Sequence, residues 1–189
     1  MKLDPNSKKN QMDKKYNIDP FKSFQLKLNS TTDLQGWRNK LISKLPFLGQ
    51  ISFIDCGCGL GDKSMALLNK LGGHCYKAWL IDFSSSAANN AKKFVGNDNR
   101  VNIINEDGFT ALDSIEDKSI GLVILFGFLH ELSNRKEFLS KLRSKLAYKY
   151  LVVVSDNDLY FTPNVLHQDF IECGYNGNCY SRFFNIFGL

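Results

Sequence analysis

The feature that most constrains this chain is an apolar run that ends in three glycines at alternating positions. Residues 51–55 read Ile-Ser-Phe-Ile-Asp, and Gly57, Gly59 and Gly61 follow. The apolar, β-branched character of the run predicts a buried strand. Residues 63–71 then place their apolar side chains at helical spacing. The glycines therefore predict a tight strand-to-helix turn, where glycine accepts positive φ and lets a ligand approach bare backbone.

The spacing of the glycines separates two kinds of nucleotide-binding turn. The dinucleotide pattern G-x-G-x-x-G would need a glycine where this chain has Asp62. Here the third glycine is Gly61, one position early, and Asp55 precedes the first glycine by two. The arrangement Asp55-x-Gly57-x-Gly59-x-Gly61 resembles motif I of the class I S-adenosylmethionine-dependent methyltransferases. The alternative is a structural glycine turn in another α/β protein.

The rest of the chain alternates predicted strands with predicted helices. The strands are 51–55, 75–81, 101–104, 120–126 and 150–155, and the helices are 33–45, 63–71, 84–95, 134–147 and 163–173. This alternation predicts an α/β fold with a doubly wound, mostly parallel sheet. The resemblance implies a Rossmann-like methyltransferase fold that ends in two antiparallel strands. The last fifteen residues barely suffice for both, so either the hairpin is minimal or one strand is lost and another chain covers the edge.

Acidic residues follow several of the predicted strands, at the edge where ligands of parallel α/β sheets bind. Asp82 follows the second strand, and a carboxylate there can accept hydrogen bonds from both ribose hydroxyls. The resemblance implies the same role. The alternative is a helix cap for 84–95, although Ser84, Ser85 and Ser86 are rival caps.

The resemblance also implies where the adenine lies. It places an acid or amide after the third strand, where Asp107 matches best and Glu106 is the alternative, with the backbone or ring of Phe109 beside the base. A solvent-facing turn is the other interpretation of this segment. The cofactor contacts implied in total are Asp55, Gly57, Gly59, Gly61, Asp82, Phe83, Asp107, Gly108, Phe109 and Phe126.

The segment Gly127-Phe128-Leu129-His130-Glu131 resembles the part of small-molecule methyltransferases that faces the methyl group. Transfer from a sulfonium needs mainly proximity and orientation, and a base only when the acceptor is protonated. His130 is the natural candidate because its ordinary pKa lies near neutrality, and Glu131 is second. The alternative for His130 is a packing or capping residue at a helix start.

The positive charge of the chain is concentrated near its N-terminus. Residues 1–50 hold ten basic and four acidic side chains, whereas the remainder holds fourteen and fifteen. Residues 1–15 are almost all polar, so we expect them to be loosely held. Residues 16–30 are apolar enough to form a lid or to pack on the domain. We therefore divide the chain into a basic leader, 1–30, and a methyltransferase domain, 31–189. The leader could contact nucleic acid or be a solvated tail.

The composition of the chain argues against a metal site, a membrane span and a signal peptide. Five cysteines without C-x-x-C spacing favour reduced thiols and predict no metal site. No apolar run is long enough for a membrane span, and no signal peptide is visible, so we expect a cytoplasmic protein. With the resemblance, we expect an enzyme that binds S-adenosylmethionine and methylates O or N of a small molecule, as a monomer or homodimer. The alternatives are an RNA or protein methyltransferase, or an inert binding protein of the same fold.

Overall fold

The computed structural model describes residues 5–16, 38, 42–45, 49–156, 163–181 and 184–188. Its strands are β1 Ile51–Cys56, β2 Cys75–Ile81, β3 Val101–Ile104, β4 Ile120–Phe126, β5 Leu146–Ser155, β6 Gly177–Ser181 and β7 Phe184–Gly188. Its α-helices are α1 Pro5–Tyr16, α2 Asp62–Leu71, α3 Ser85–Val95, α4 Gly108–Ala111, α5 Arg135–Lys145 and α6 Pro163–Glu172. Short 3₁₀ turns cover Gly72–His74, Leu112–Ser114 and Leu129–Glu131.

Within the described residues the seven strands form one sheet in the order β3-β2-β1-β4-β5-β7-β6. The strands β3, β2, β1, β4 and β5 are parallel, and β7 pairs antiparallel with both β5 and β6. The predicted doubly wound sheet is therefore confirmed. The C-terminal hairpin is present in its minimal form, and the alternative of a lost strand is wrong. The strand order reverses between β1 and β4, which places a cleft at their carboxyl ends.

The central strands are buried on both faces. Phe53 and Ile54 point to opposite sides of β1, and both are fully buried, in two separate apolar clusters. Every residue of β4 is buried as well. Helices that cover both faces of a parallel sheet explain why these strands are continuous apolar runs rather than alternating ones. The core thus holds the carboxyl ends of β1 and β4 in fixed register.

The boundary between α5 and β5 lies several residues from its predicted position. Helix α5 ends at Lys145, and β5 begins at Leu146 rather than at Tyr150. No glycine or proline separates the two elements, and Leu146 pairs with Ile120 at the start of β4. Pairing with the neighbouring strand therefore decides where the strand begins.

In the N-terminal segment the structure has a helix that the sequence did not predict. The sequence predicts a loosely held segment over 1–15, and within it the structure has the helix α1, Pro5–Tyr16, which packs on α3. The helix lacks an apolar face, so its polar side chains make its contacts with the domain. Of the predicted helix 33–45, residues 38 and 42–44 are described and helical. The suggested lid, 16–30, lies outside the described residues apart from the last residue of α1.

We expect Gly61→Ala to lower the free energy of unfolding by roughly 1–3 kcal/mol, because a side chain at positive φ is strained. Gly61 has a φ of 79°, and an added Cβ would lie 3.2 Å from Ala91. Gly73→Ala is the matched control, since nothing lies within 4 Å of a Cβ there. Urea unfolding of both variants measures the difference. Equal stability of the two would contradict the assigned turn geometry.

Candidate functional site

The three glycines form the predicted turn between β1 and α2. Gly57, Gly59 and Gly61 have φ values of 72°, 56° and 79°. The N–H groups of Gly57 and Cys58 donate to the carbonyl of Ile81 at 2.8 and 3.1 Å, so the turn is tied to the end of β2. The positive φ values explain why glycine occupies these positions. The turn therefore presents bare backbone at the carboxyl edge of the sheet.

Asp82 fixes this turn from the neighbouring strand. Its Oδ2 accepts the N–H of Gly59 and its Oδ1 accepts the N–H of Ser84, each at 2.9 Å. The side chain of Ser84 caps α3 by accepting the N–H of Ala87. The cap is thus supplied by Ser84, and Asp82 lies at the edge next to the glycine turn, 8% exposed. Burial raises the pKa of Asp82, and the two backbone donors partly offset that effect.

Asp55 lies beneath the turn and is almost completely buried. The hydroxyl of Ser64 donates to its Oδ2 at 2.5 Å. Burial raises the pKa of Asp55 to about 7; the nearby charges of Asp62 and Asp82 add to the rise, and the Ser64 hydrogen bond opposes it. Burial therefore favours the neutral carboxyl, and a cation bound nearby would favour its ionised form.

The predicted adenine contact, Asp107, has local partners. Its Oδ1 accepts the N–H groups of Phe109 and Thr110 at 3.0 Å, and its Oδ2 accepts the Thr110 hydroxyl. Asp107 therefore caps α4. The sequence analysis missed this function, although Asp is a favoured residue directly before the first residue of a helix. Phe109 is 43% exposed, and the ammonium of Lys141 lies 4.0 Å from its ring centroid. The contacts of both residues with adenine stay predictions.

Phe128 lies across two of the predicted cofactor residues. A Cβ added to Gly57 would lie 3.0 Å from its ring, and one added to Gly108 would lie 2.7 Å from it. The ring also packs edge-on against Phe138, with centroids 5.2 Å apart. The sequence analysis did not assign a role to Phe128. The available signal was its position, because it is an aromatic residue that follows β4 and one glycine. The ring thus covers the bare backbone on this side of the turn.

His130 is held between two carboxylates. Its Nδ1 lies 2.5 Å from Oδ1 of Asp156, and its backbone N–H donates to the other oxygen of the same carboxylate. Its Nε2 lies 3.2 Å from Oε1 of Glu131. Lys8 of α1 lies 2.7 Å from the second oxygen of Glu131. Residues from three places in the sequence therefore meet beyond the end of β4.

These contacts set the charge state of the histidine. The hydrogen bond with Asp156, and then that with Glu131, raises the pKa of His130 to about 9. The same contact with His130, assisted by Lys8, lowers the pKa of Glu131 to about 2. At neutral pH the imidazole is therefore a cation that donates hydrogen bonds. It can accept a proton only after it has released its own.

The sequence analysis also missed Arg38. Its Nη2 donates to the carbonyl of Ser155 at 3.0 Å, and its guanidinium lies 5.4 Å from the ring centroid of Phe126. It therefore places a positive charge at the carboxyl ends of β4 and β5, close enough to Asp55 to lower that residue's pKa. Nothing in the local sequence around Arg38 indicates this position, because the contact joins segments more than a hundred residues apart.

The arrangement of a glycine turn, an acid after β2 and a polar cluster after β4 is that of a nucleoside-binding Rossmann-like enzyme. A family profile described as "Methyltransferase domain" matches residues 54–148, which is half of the chain. The chain belongs to this family and is a class I S-adenosylmethionine-dependent methyltransferase. The prediction of an enzyme that uses S-adenosylmethionine is thereby confirmed. No curated protein matches the sequence.

Solved structures support the fold. A methyltransferase from Aquifex aeolicus superposes with a TM-score of 0.69 at 16% identity, over 90% of this chain and 97% of that one. A structure from Listeria monocytogenes, described as an S-adenosylmethionine-dependent methyltransferase, gives 0.64 at 15% identity, over 81% and 97%. The [4+2]-cyclase SpnF gives 0.62 at 15% identity, over 77% of this chain and 61% of that one. At these identities the similarity establishes the fold alone.

Two further observations concern membrane-spanning helices and metal-binding groups. Among the described residues, no helix is long and apolar enough to cross a membrane. In the same part of the chain, no three His, Cys, Asp or Glu side chains are grouped so that they could hold a metal ion.

We expect Asp55→Asn to gain stability relative to the wild type as the pH rises from 5 to 8. The folded-state pKa of about 7 lies above the ordinary 3.8, so folding takes up a proton between these values and wild-type stability falls as the pH rises through them. The relative gain should be roughly 1–3 kcal/mol in urea unfolding. Asp117→Asn is the control, because that exposed carboxyl is ionised throughout the range. A pH-independent difference for Asp55→Asn would refute the assignment.

We expect Asp156→Asn to lower the pKa of His130 from about 9 towards 6.5, because it removes the carboxylate that contributes most. The raised pKa also stabilises the fold below pH 6.5, and that contribution is lost as the pH rises through about 9. NMR titration of the histidine rings measures both pKa values, and the chain holds only three histidines. Asp113→Asn, in the 3₁₀ turn after α4 where the carboxylate pairs with Lys141, should leave the titration unchanged. An unaltered His130 in Asp156→Asn would disprove the pairing.

Proposed function

We propose that this methyltransferase transfers the methyl group of S-adenosylmethionine to O or N of a small-molecule acceptor. The observation that carries the proposal is the shared edge of the sheet. Asp82 and the glycine turn lie at the carboxyl ends of β2 and β1, and His130 with its two carboxylates lies beyond the end of β4. Donor and acceptor groups of the reaction would therefore meet at the point where the strand order reverses.

The residues at this edge fit the nucleoside. The turn at Gly57 and Gly59 offers backbone that a ligand can approach closely, and a carboxylate such as Asp82 suits a vicinal diol. Both Asp82 oxygens already accept one N–H group, and a carboxylate oxygen has room for a further donor. A ligand against Gly57 requires the Phe128 ring to turn away from that glycine. The bound cofactor supplies an activated methyl group.

The acceptor would lie on the His130 side. An imidazolium held by Asp156 and Glu131 can orient an acceptor through its charge, and it gains basic character when it loses its proton. Two of the four lysines of α1 interact with the protein's own acids, which favours a small molecule over nucleic acid. Lys8 is paired with Glu131, and the charge of Lys15 acts on Asp82, so both are directed at the protein's own acids.

Calorimetry with S-adenosylhomocysteine tests the cofactor part of the proposal. We expect the wild type to bind and Asp82→Asn to bind at least about tenfold more weakly, because one charge-assisted acceptor is lost. Asp98→Asn is the matched control, since Asp98 lies in the turn after α3, where it binds Arg100. Thermal unfolding of each variant shows whether the fold is kept. Absence of binding by the wild type, or equal binding by Asp82→Asn, would count against the proposal.

A further inference from the structure

Helix α1 crosses the edge at which the candidate site lies. Near its start, the ammonium of Lys8 contacts a carboxylate oxygen of Glu131 at 2.7 Å and donates to the carbonyl of the same residue at 2.5 Å. Near its end, Oδ1 of Asp13 accepts the hydroxyl of Ser84 at 2.7 Å and the N–H of Ser86 at 3.1 Å. Five residues of helix span about 7.5 Å. The helix therefore bridges the segment after β4 and the start of α3, on either side of β1.

The contact at Glu131 belongs to a row of alternating charges. Lys8 is followed by Glu131, then by the imidazolium of His130, and then by Asp156, with separations of 2.7, 3.2 and 2.5 Å. Each carboxylate oxygen of Glu131 has its own cation. Glu131 is thus held from both sides, and its position depends on a residue of α1 that lies 123 positions earlier in the sequence.

We propose that Lys8 is a positioning residue that acts on His130 through Glu131, so that the docking of α1 and the ionisation of His130 are coupled. The part of this inference that concerns methyl transfer rests on the proposed function, because only there does His130 face the acceptor. The coupling itself is a property of the protein alone.

The direction of the coupling follows from the charges that face His130. His130 contacts Asp156, directly after β5, and Glu131 in its own turn, and Lys8 of α1 contacts the same Glu131 carboxylate. The two carboxylates favour the imidazolium. Lys8 opposes it, because it is a second cation on the carboxylate that His130 uses. A docked α1 therefore eases the loss of the His130 proton, and release of α1 makes the histidine a weaker acid.

Through this coupling, α1 affects the protonation of His130 as well as covering the edge of the sheet. The form of His130 that can accept a proton is more accessible when the helix is docked. By reciprocity, deprotonation of His130 strengthens the docking, because Glu131 then has Lys8 as its only cation among the charges named above. Docking of α1 over the edge and deprotonation of His130 would thus favour each other.

The test is the NMR titration of His130 in the cofactor-free protein. The chain has three histidines, and the His130 signal is identified by its absence from His130→Gln. We expect Lys8→Met to raise the pKa of His130 by roughly half a pH unit to one, because Glu131 loses its second cation and its carboxylate then serves His130 alone. Asp13 still joins α1 to α3, and protection of the Ser86 amide from hydrogen exchange reports that contact. Lys9→Met is the control on the same helix, and Lys8→Arg should restore the wild-type titration.

A double-mutant cycle shows whether the effect passes through Glu131. In the Glu131→Gln background, Lys8→Met should change the titration of His130 far less than it does in the wild type. An unchanged or lowered pKa in Lys8→Met, or an equal shift in both backgrounds, would overturn the proposal. The titration needs neither cofactor nor acceptor. A protein that shows the coupling and binds no S-adenosylhomocysteine would therefore refute the proposed function and leave the coupling intact.

Discussion

The candidate site depends on one buried carboxylate with two backbone partners. Asp82 accepts N–H groups from Gly59 and Ser84, so one side chain joins the turn after β1 to the beginning of α3. A buried carboxylate is costly unless it is hydrogen-bonded, and here the bonds that compensate its burial also define the shape of the edge. The parallel register of β1 with β2 brings Asp82 and the glycines together. Burial of both sheet faces then keeps that register fixed.

A second set of charges organises the other side of the same edge. Asp156 comes from the end of β5, His130 and Glu131 from the turn after β4, and Lys8 from α1. Acidic and basic side chains alternate in this set, so each contact joins groups of opposite charge. The two halves of the edge therefore present different chemical groups. The β1–β2 half is backbone held by a carboxylate, which suits a nucleoside, and the β4–β5 half is a row of ionised side chains.

The sequence predictions succeeded where the signal was local and failed where a distant partner decided. β2, β3 and β4 begin and end where their apolar runs do, and Ser84 caps α3 as its position suggested. In contrast, β5 starts four residues early because it pairs with β4. Asp107 caps its own helix, and its contact with adenine stays a prediction. Helix α1 was not foreseen, because its contacts are polar and lie on other segments.

The sequence by itself determined the strand-to-helix turn, the doubly wound sheet and the acids at its carboxyl edge. These follow from glycine conformation and from apolar periodicity, which act over a few neighbouring residues. Only the tertiary structure decided that Phe128 lies over Gly57, that Arg38 reaches Ser155 and that His130 is a cation at neutral pH. A side chain's ionisation depends on burial and on charges within a few ångströms, and folding brings those charges from positions far apart in the chain.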